Sequence, residues 1–217
     1  MLDYLELPCA GTPRALMVWL HGLGADGYDL QPVAEMLGHE GIRHVFPHAP
    51  VRPVTLNGGM AMRAWYDIAM PNLQWQEDSA GMQASARQVL ELVDRLRNDS
   101  GMAVVLAGFS QGAVISLVAA AAGVRNLAGV VAMSGYAPGF LAQMPSALRG
   151  MPVLMMHGEQ DEVVPFALGK ASREMLHEAG AEVAWHAYAM PHSICQQEIG
   201  DVAAWLARLP GLSRSLK

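Results

Sequence analysis

A serine flanked by two glycines is the first group in this chain whose spacing is typical of chemistry. Residues 108–112 read Gly-Phe-Ser-Gln-Gly, which places Ser110 in a G-x-S-x-G motif. In such a motif the serine stands on a sharp turn between a strand and a helix, with its hydroxyl exposed as a nucleophile. The glycines lack Cβ atoms, so that strand, turn and helix can approach one another closely. The motif therefore predicts attack by Ser110 on an acyl carbonyl.

An acid for this chemistry is expected after the serine. A serine hydroxyl is a weak nucleophile at neutral pH and needs a base, which an acid orients in turn. With this motif the chain order is serine, acid, histidine. Asp161 follows an apolar strand and is the predicted acid, with Glu159 as the alternative. A purely structural role, capping the helix that starts near Pro165, also fits Asp161.

The predicted base is His192, in the loop between the last predicted strand and the last predicted helix. Two other histidines follow the acid, but His177 lies within a helical pattern and His186 within a strand. Loops on a rigid scaffold carry catalytic groups more often than element interiors do. A metal on His192 and Cys195 would lack a third ligand at suitable spacing, so no metal site is predicted.

Four histidines that precede Asp161 are assigned simpler roles. His48 and His157 stand at strand ends, where we expect them to be structural. His39 and His44 flank a helix end, where we expect them to be solvated.

A second glycine run, at residues 22–27, satisfies G-x-G-x-x-G after a strand and before a helix. This pattern could bind a dinucleotide, but it would need an acid about 20 residues further on to hold the ribose. The next strand ends at 45–50 without one. We therefore assign the run to an oxyanion hole, formed by the backbone N–H groups of Leu23 and Gln111.

Alternating strand and helix patterns place these residues in an α/β fold with a mainly parallel sheet covered on both faces. Strands are predicted at 15–20, 42–47, 102–107, 127–133, 151–156 and 182–188, with a weaker one at 2–7. Helices are predicted at 29–39, 78–98, 111–122, 165–179 and 194–208.

Length, charge and composition limit the class of protein. The 217 residues predict one domain, residues 1–217. With 14 Lys and Arg against 20 Asp and Glu, the net charge of -6 disfavours nucleic acid as a partner. Cys9 and Cys195 suggest no disulfide framework. The first residues lack the positive region of a secretory signal, and the uncharged run 102–124 is broken by the serine turn, so a cytoplasmic protein without a membrane anchor is expected.

The long segment 49–77 contains many apolar residues between its prolines and glycines, which argues against disorder. We predict that part of it forms an acyl pocket, since flexible methionines suit varied apolar ligands. The alternative is that these side chains only pack the segment onto the core. The predicted pocket residues are Met60, Met62, Trp65, Met70 and Leu73.

Taken together, the motifs resemble those of the acyl-protein thioesterase and bacterial carboxylesterase family of α/β-hydrolases. The resemblance covers about residues 15–206 and rests on HGLG at 21–24, PHAPVRPVTLN at 47–57, WYDI at 65–68, GFSQG at 108–112, HG at 157–158 with Asp161, and His192 with CQQE at 195–198. It implies an α/β-hydrolase fold without a large cap domain. It also implies a triad of Ser110, Asp161 and His192, with oxyanion donors Leu23 and Gln111.

The function implied is that of a serine carboxylesterase acting on small to medium acyl esters through an acyl-enzyme intermediate, without a cofactor. The alternative is a thioesterase or lysophospholipase acting on longer acyl chains. Two departures from many relatives, Ala25 where an acid is common and Glu159 where aspartate is common, concern the substrate and not the chemistry. A homodimer is suggested by analogy with related esterases. A binding protein that has lost turnover is the non-enzymatic alternative.

Overall fold

The computed structural model describes residues 1–7, 9–38, 40–69, 77–97 and 101–212. Its strands are β1 Tyr4–Leu7, β2 Ala10–Leu20, β3 Glu40–Pro47, β4 Val51–Val54, β5 Met60–Arg63, β6 Ala103–Phe109, β7 Leu127–Met133, β8 Pro152–Gly158 and β9 Glu182–Tyr188. Its α-helices are α1 Gln31–Leu37, α2 Ser79–Arg97, α3 Gln111–Ala121, α4 Pro145–Leu148, α5 Phe166–Glu178 and α6 Gln196–Leu206. Short 3-10 helices span Thr55–Asn57 and Gly139–Gln143.

Seven strands form one sheet in the order β1-β3-β2-β6-β7-β8-β9. Only β1 runs antiparallel to its neighbour; the other adjacent pairs are parallel. In a parallel sheet all carboxyl ends reach the same edge, where open α/β sheets bind their ligands. The loops that follow β2, β6, β8 and β9 therefore meet at one edge of the molecule.

Both faces of this sheet are covered, as the continuous apolar runs predicted. Along β6, Val104 and Leu106 pack into the hydrophobic cluster under α2, α3 and α5. Val105 and Ala107 point the other way, into the cluster under α1 and α6. Side chains alternate sides along a strand, so a strand buried on both faces must be apolar throughout.

The segment 49–77 is more regular than its composition suggested. Strands β4 and β5 pair antiparallel within it, with Val54 opposite Met60. The turn closes through a hydrogen bond from Gly59 N to Val54 O of 3.0 Å, and Gly58 and Gly59 both have positive φ. An Asn-Gly pair at 57–58 is a strong hairpin signal. The strands were missed because Pro53 obscures the alternation.

The prediction that His44 is solvated is wrong. His44 is fully buried, and its Nδ1 accepts a hydrogen bond from Trp19 Nε1 of 3.0 Å. Its Nε2 donates to Gly38 O at 3.1 Å. A histidine that can both donate and accept is compatible with burial because both ring nitrogens find partners. The companion prediction, for His39, lies outside the described residues.

The uncharged run at 102–124 is divided by Ser110 into β6 and α3, as expected. In the described parts of the chain, no helix is both long enough and apolar enough to cross a bilayer.

The turn between β6 and α3 depends on close backbone contact. A Cβ placed on Gly112 would clash with the carbonyl oxygen of Leu20 at the end of β2. A Cβ placed on Gly108 would clash with the backbone of Gly112. The two motif glycines thus allow β2, β6 and α3 to touch, and they position the serine between them.

Replacing Gly112 with Ala should lower the free energy of unfolding by about 3 kcal/mol or more, since backbone would have to shift to accept the methyl group. Gly200 offers a matched control, because it is exposed within α6 and its added Cβ would meet nothing within 4 Å. Gly200→Ala should instead stabilise the protein by about 0.5–1 kcal/mol. Denaturant unfolding of both variants measures the difference. Equal effects would contradict the close approach.

Candidate active site

Ser110 occupies a strained turn at the carboxyl end of β6. Its φ is 56° and its ψ is −119°, a conformation that residues with a side chain rarely adopt. Its N–H donates to Met133 O at 2.9 Å, which ties the turn to the end of β7. The side chain remains partly accessible. Helix α3 starts at the next residue, so its positive dipole end lies beside the hydroxyl.

His192 and Asp161, predicted from separate loops, are hydrogen-bonded to each other. His192 Nδ1 donates to Asp161 Oδ2 at 2.7 Å. The Asp161 carboxylate is fully buried, and its Oδ1 accepts from the backbone N–H groups of Val163 at 2.9 Å and Val164 at 2.8 Å. The bond to Nδ1 leaves Nε2 of the imidazole for proton exchange with a reacting group.

Aromatic contact brings the His192 loop to the serine turn. The ring of Phe109, directly before Ser110, lies 4.7 Å from the His192 ring between centroids. On another side of the turn, a Cβ built on Gly22 would lie 3.5 Å from Ser110 Cβ. The loop after β2 and the loop after β9 therefore both reach the serine turn.

The glycine loop after β2 is held by His21, which is fully buried. His21 Nε2 accepts from Ala49 N at 3.0 Å, so the proton sits on Nδ1, which donates to Gly22 O at 2.7 Å. Burial lowers the pKa of His21 to about 4. A neutral imidazole thus fixes the backbone directly before Leu23, and Gly24 N donates to Arg63 O at 2.9 Å on the other side.

The Gln111 side chain adds a second anchor that the sequence did not reveal. Its Oε1 accepts from Trp65 N and its Nε2 donates to Tyr66 O, both at 3.0 Å. Trp65 Nε1 in turn donates to His21 O at 2.9 Å. One buried network therefore joins Gln111, through Trp65, to the backbone directly before Leu23.

Of the residues predicted to form an acyl pocket, three lie in the described part of the chain, and they differ in their position relative to the glycine loop. Trp65 is fully buried, so its ring offers no surface to an acyl chain, contrary to the prediction; its indole N–H is used to hold the glycine loop. Met60 is 65% exposed on the hairpin. Met62 is half-buried, and its sulfur would lie 3.9 Å from a Cβ on Gly24. Met70 and Leu73 lie outside the described residues.

A cavity of about 280 Å³ lies at the same edge of the sheet. The segment after β7 forms one wall of this cavity: Gly135 packs against the serine turn, and Tyr136 lines the cavity. The other lining residues are mainly apolar: Ala137, Gly139, Leu168, Ala171 and Met175, with Glu77 and Ser172. A larger cavity of about 730 Å³, lined by Ala15, Ile42 and Leu206 among others, lies at the opposite edge. We give it no part in the site because the strands begin there.

A buried glutamate supports the loop that carries His192. Glu198, in the first turn of α6, accepts from Cys195 N through Oε2 at 3.4 Å, and the two residues form a capping box. The Glu198 side chain is fully buried, and this burial raises its pKa to about 7. The sequence motif CQQE at 195–198 contained this cap, although its role was not predicted.

Comparison with known proteins agrees with this geometry. A family model described as Phospholipase/Carboxylesterase matches residues 8–209. Acyl-protein thioesterase 1 of Cryptococcus neoformans var. neoformans is 35% identical over 231 residues, which cover 94% of this chain and 96% of that protein. The chain belongs to the phospholipase/carboxylesterase family.

The similarity to known proteins extends over nearly the whole chain, both in sequence and to a solved structure. The crystal structure of Zea mays acyl-protein thioesterase 2 matches with a TM-score of 0.85 and 30% identity, covering 97% of this chain and 99% of that one. Acyl-protein thioesterase 1 of Yarrowia lipolytica is 34% identical and covers 93% of this chain and 95% of that protein. The predicted α/β-hydrolase fold is confirmed, and the protein is a serine hydrolase.

Glu198 makes the stability of this family member dependent on pH. The pKa of about 7 in the folded protein exceeds the ordinary value of 4.5. The protonated Glu198 carboxyl therefore makes its full contribution to the free energy of unfolding below about pH 4.5, and this contribution is lost as the pH rises through about 7. In the wild type the free energy of unfolding should fall by up to about 3 kcal/mol over this range. In Glu198→Gln, whose side chain is neutral at every pH, this fall should be absent. The measurement is the free energy of unfolding of both proteins from about pH 5 to about pH 9. Parallel pH curves would contradict a buried, protonated Glu198.

Proposed function

We propose that this enzyme hydrolyses acyl thioesters and the corresponding esters, with Ser110 as nucleophile, His192 as general base and Asp161 as the orienting acid. The observation that carries the proposal is the 2.7 Å hydrogen bond between His192 Nδ1 and Asp161 Oδ2. It lies at the sheet edge where Ser110 follows β6 in its strained turn. These three residue types in this chain order are those of the α/β-hydrolase triad.

In the first step the Ser110 hydroxyl attacks the acyl carbonyl while His192 Nε2 accepts its proton. The imidazolium that forms is stabilised by the buried Asp161 carboxylate. Two backbone N–H groups of Asp161's own loop keep that carboxylate in place, so it does not have to reorient when the charge appears.

The carbonyl oxygen becomes negative in this step and needs donors that are already oriented. Gln111 is the first residue of α3, so its N–H has no partner within the helix. Leu23 N–H is the second proposed donor, on the loop that His21 and Trp65 hold in place. Loss of one such donor typically costs about 3–4 kcal/mol of transition-state stabilisation.

As the first tetrahedral intermediate collapses, the C–S or C–O bond to the leaving group breaks, His192 gives its proton to the leaving thiolate or alkoxide, and the acyl group stays on Ser110. Water then attacks the acyl-enzyme while His192 again takes a proton. The bond between the acyl carbon and Ser110 Oγ breaks, and His192 gives the proton to that oxygen, which restores the free serine. The products are a carboxylic acid and a thiol or an alcohol. A thiolate leaves readily even when its protonation is incomplete, so the same site serves both substrates.

The relatives favour the thioester. Proteins named acyl-protein thioesterase align at 34% to 35% identity over more than nine-tenths of this chain. We therefore propose a thioester as the preferred substrate, in place of the small oxygen ester that the sequence motifs suggested. Hydrolysis of small oxygen esters is the second candidate, because the family description includes carboxylesterases. For the acyl chain we propose Met62 and the cavity lined by Tyr136, Leu168 and Met175, since a mainly apolar cleft with few polar groups suits such a ligand.

Ser110→Ala should reduce ester and thioester hydrolysis by at least about 10³-fold, because no other group would supply the nucleophile. A fluorophosphonate probe should label the wild-type protein and not this variant. Ser193→Ala, which changes a serine on the His192 loop, is the matched control and should keep labelling. Near-normal hydrolysis by Ser110→Ala would refute the proposal, and an unlabelled, inactive wild-type protein would favour a binding function.

Substrate preference is tested by rates on one acyl chain in two linkages. We expect kcat/KM for a long-chain acyl thioester to exceed that for the matching oxygen ester and for short-chain esters by about tenfold, a difference of about 1.4 kcal/mol in transition-state binding. Lysophospholipid is the third substrate. A clear preference for short oxygen esters would support the carboxylesterase candidate, and Met62→Ala should reduce selectivity for chain length if Met62 contacts the acyl group.

A further inference from the structure

Asp161 has a second histidine beside it, in addition to His192. His157, near the end of β8, is fully buried. Its Nε2 lies 2.8 Å from Val164 O and 3.4 Å from Asp161 Oδ2, the same oxygen that accepts from His192. The family motif HG at 157–158 includes this residue, for which the sequence suggested only a structural role.

The partner of Nε2 identifies the position of the proton. A carbonyl oxygen can only accept a hydrogen bond, so Nε2 of His157 must carry hydrogen and donate it to Val164 O. Nδ1 is buried and has no hydrogen-bond partner within the described part of the chain. Burial also lowers the pKa of His157. His157 is therefore a neutral imidazole whose N–H points to the turn that contains Asp161.

This N–H completes the hydrogen bonding of that turn. Asp161 Oδ1 accepts from Val163 N and Val164 N, which closes the turn from inside. His157 binds the carbonyl of Val164 from the β8 side, at the same place. Rotation of the carboxylate would break the two bonds to Oδ1, and movement of the turn would break the bond from His157 to Val164 O. Oδ2 is thereby directed at His192.

The His157 ring is held rigidly by its neighbours. Trp185 of β9 stacks on it with centroids 6.2 Å apart, and Phe166 meets it edge-on at 6.0 Å. On the α5 side, an added Cβ on Gly169 would lie only 2.5 Å from Nδ1, so the ring has no room to retreat. A donor fixed in this way can position a neighbour accurately.

We propose that His157 is a positioning residue that keeps Asp161 aligned with His192, an inference that rests on the proposed function. It does not touch the reacting atoms. Without it the 161–164 turn loses one closing bond, and the carboxylate is free to leave the His192 N–H. A triad histidine without its acceptor samples the wrong tautomer, in which Nε2 cannot take the serine proton.

Two substitutions separate donation from packing. Glutamine places an amide Nε2 the same number of bonds from the backbone as the histidine Nε2, whereas leucine fills part of the space without a donor. His157→Leu should lower kcat by at least about tenfold, with KM changed less than about twofold, and His157→Gln should recover most of the loss. Rates are expressed per active site by fluorophosphonate titration, so a smaller folded fraction does not count as lower kcat.

Proton NMR provides a direct readout of the positioned pair. The strongly downfield proton of His192 Nδ1, bonded to a carboxylate, should weaken or vanish in His157→Leu and persist in His157→Gln. Leu92→Ala is the control for stability, because it removes a buried apolar side chain of α2 and leaves the His157 donor and its neighbours in place. It should lower stability while kcat per site and the downfield resonance stay unchanged.

Other outcomes would overturn the inference. Equal loss of stability in both His157 variants, with unchanged kcat per site and unchanged resonance, would leave only a packing role. If His157→Leu does not fold, nitrogen NMR of the wild type decides, since a proton on Nδ1 instead of Nε2 of His157 is incompatible with the proposal. Failure of the proposed function is separate: Ser110→Ala would then remain active, whatever His157 does.

Discussion

The close contact of three backbone segments at the serine turn is the constraint on which the site depends. Gly108 and Gly112 let β6 and α3 fold tightly against the end of β2. Only at that separation can the glycine loop after β2 lie beside Ser110. The strained backbone of Ser110 is stabilised by the hydrogen bond of its N–H to β7. The close packing around the turn thus maintains a conformation that an isolated peptide would avoid.

From this turn outward, the site is built of buried polar groups that find partners inside the protein. His21, Gln111 and Trp65 link the glycine loop to the start of α3 through hydrogen bonds of 2.9–3.0 Å. Asp161 is surrounded by donors in the same way. Such groups would cost free energy if they were unpaired, so the fold holds them in one arrangement. Preorganisation of this kind lets a site stabilise charge without reorienting its dipoles during the reaction.

The chemistry and the choice of substrate reside in different parts of this structure. The loops at the carboxyl ends of β2, β6, β8 and β9 hold the groups that we propose for the reaction, and such groups act on a carbonyl carbon, whichever atom leaves it. The hairpin of β4 and β5 and the cavity beside Tyr136 form the surroundings that we propose for the acyl chain. Relatives can therefore share a fold and a mechanism while their substrates differ.

Much of the architecture could be predicted because it depends on local patterns. Apolar runs bounded by glycines identified the six parallel strands, and helical spacing identified α2 through Val89, Leu92 and Val93. The serine motif and the chain order of acid and base selected Ser110, Asp161 and His192. The β4–β5 hairpin was missed although Asn57 and its following glycine signal such a turn.

What the sequence alone determined was the strands and helices of the main sheet and the groups proposed to react, since periodicity and motif spacing are properties of neighbouring residues. Only the tertiary structure decided which way individual side chains face. Trp65 turned inward to His21, His44 was buried under Trp19, and His157 came to lie beside Asp161. These outcomes depend on partners from other segments of the chain, because a buried polar group takes the orientation in which a distant residue satisfies its hydrogen bond.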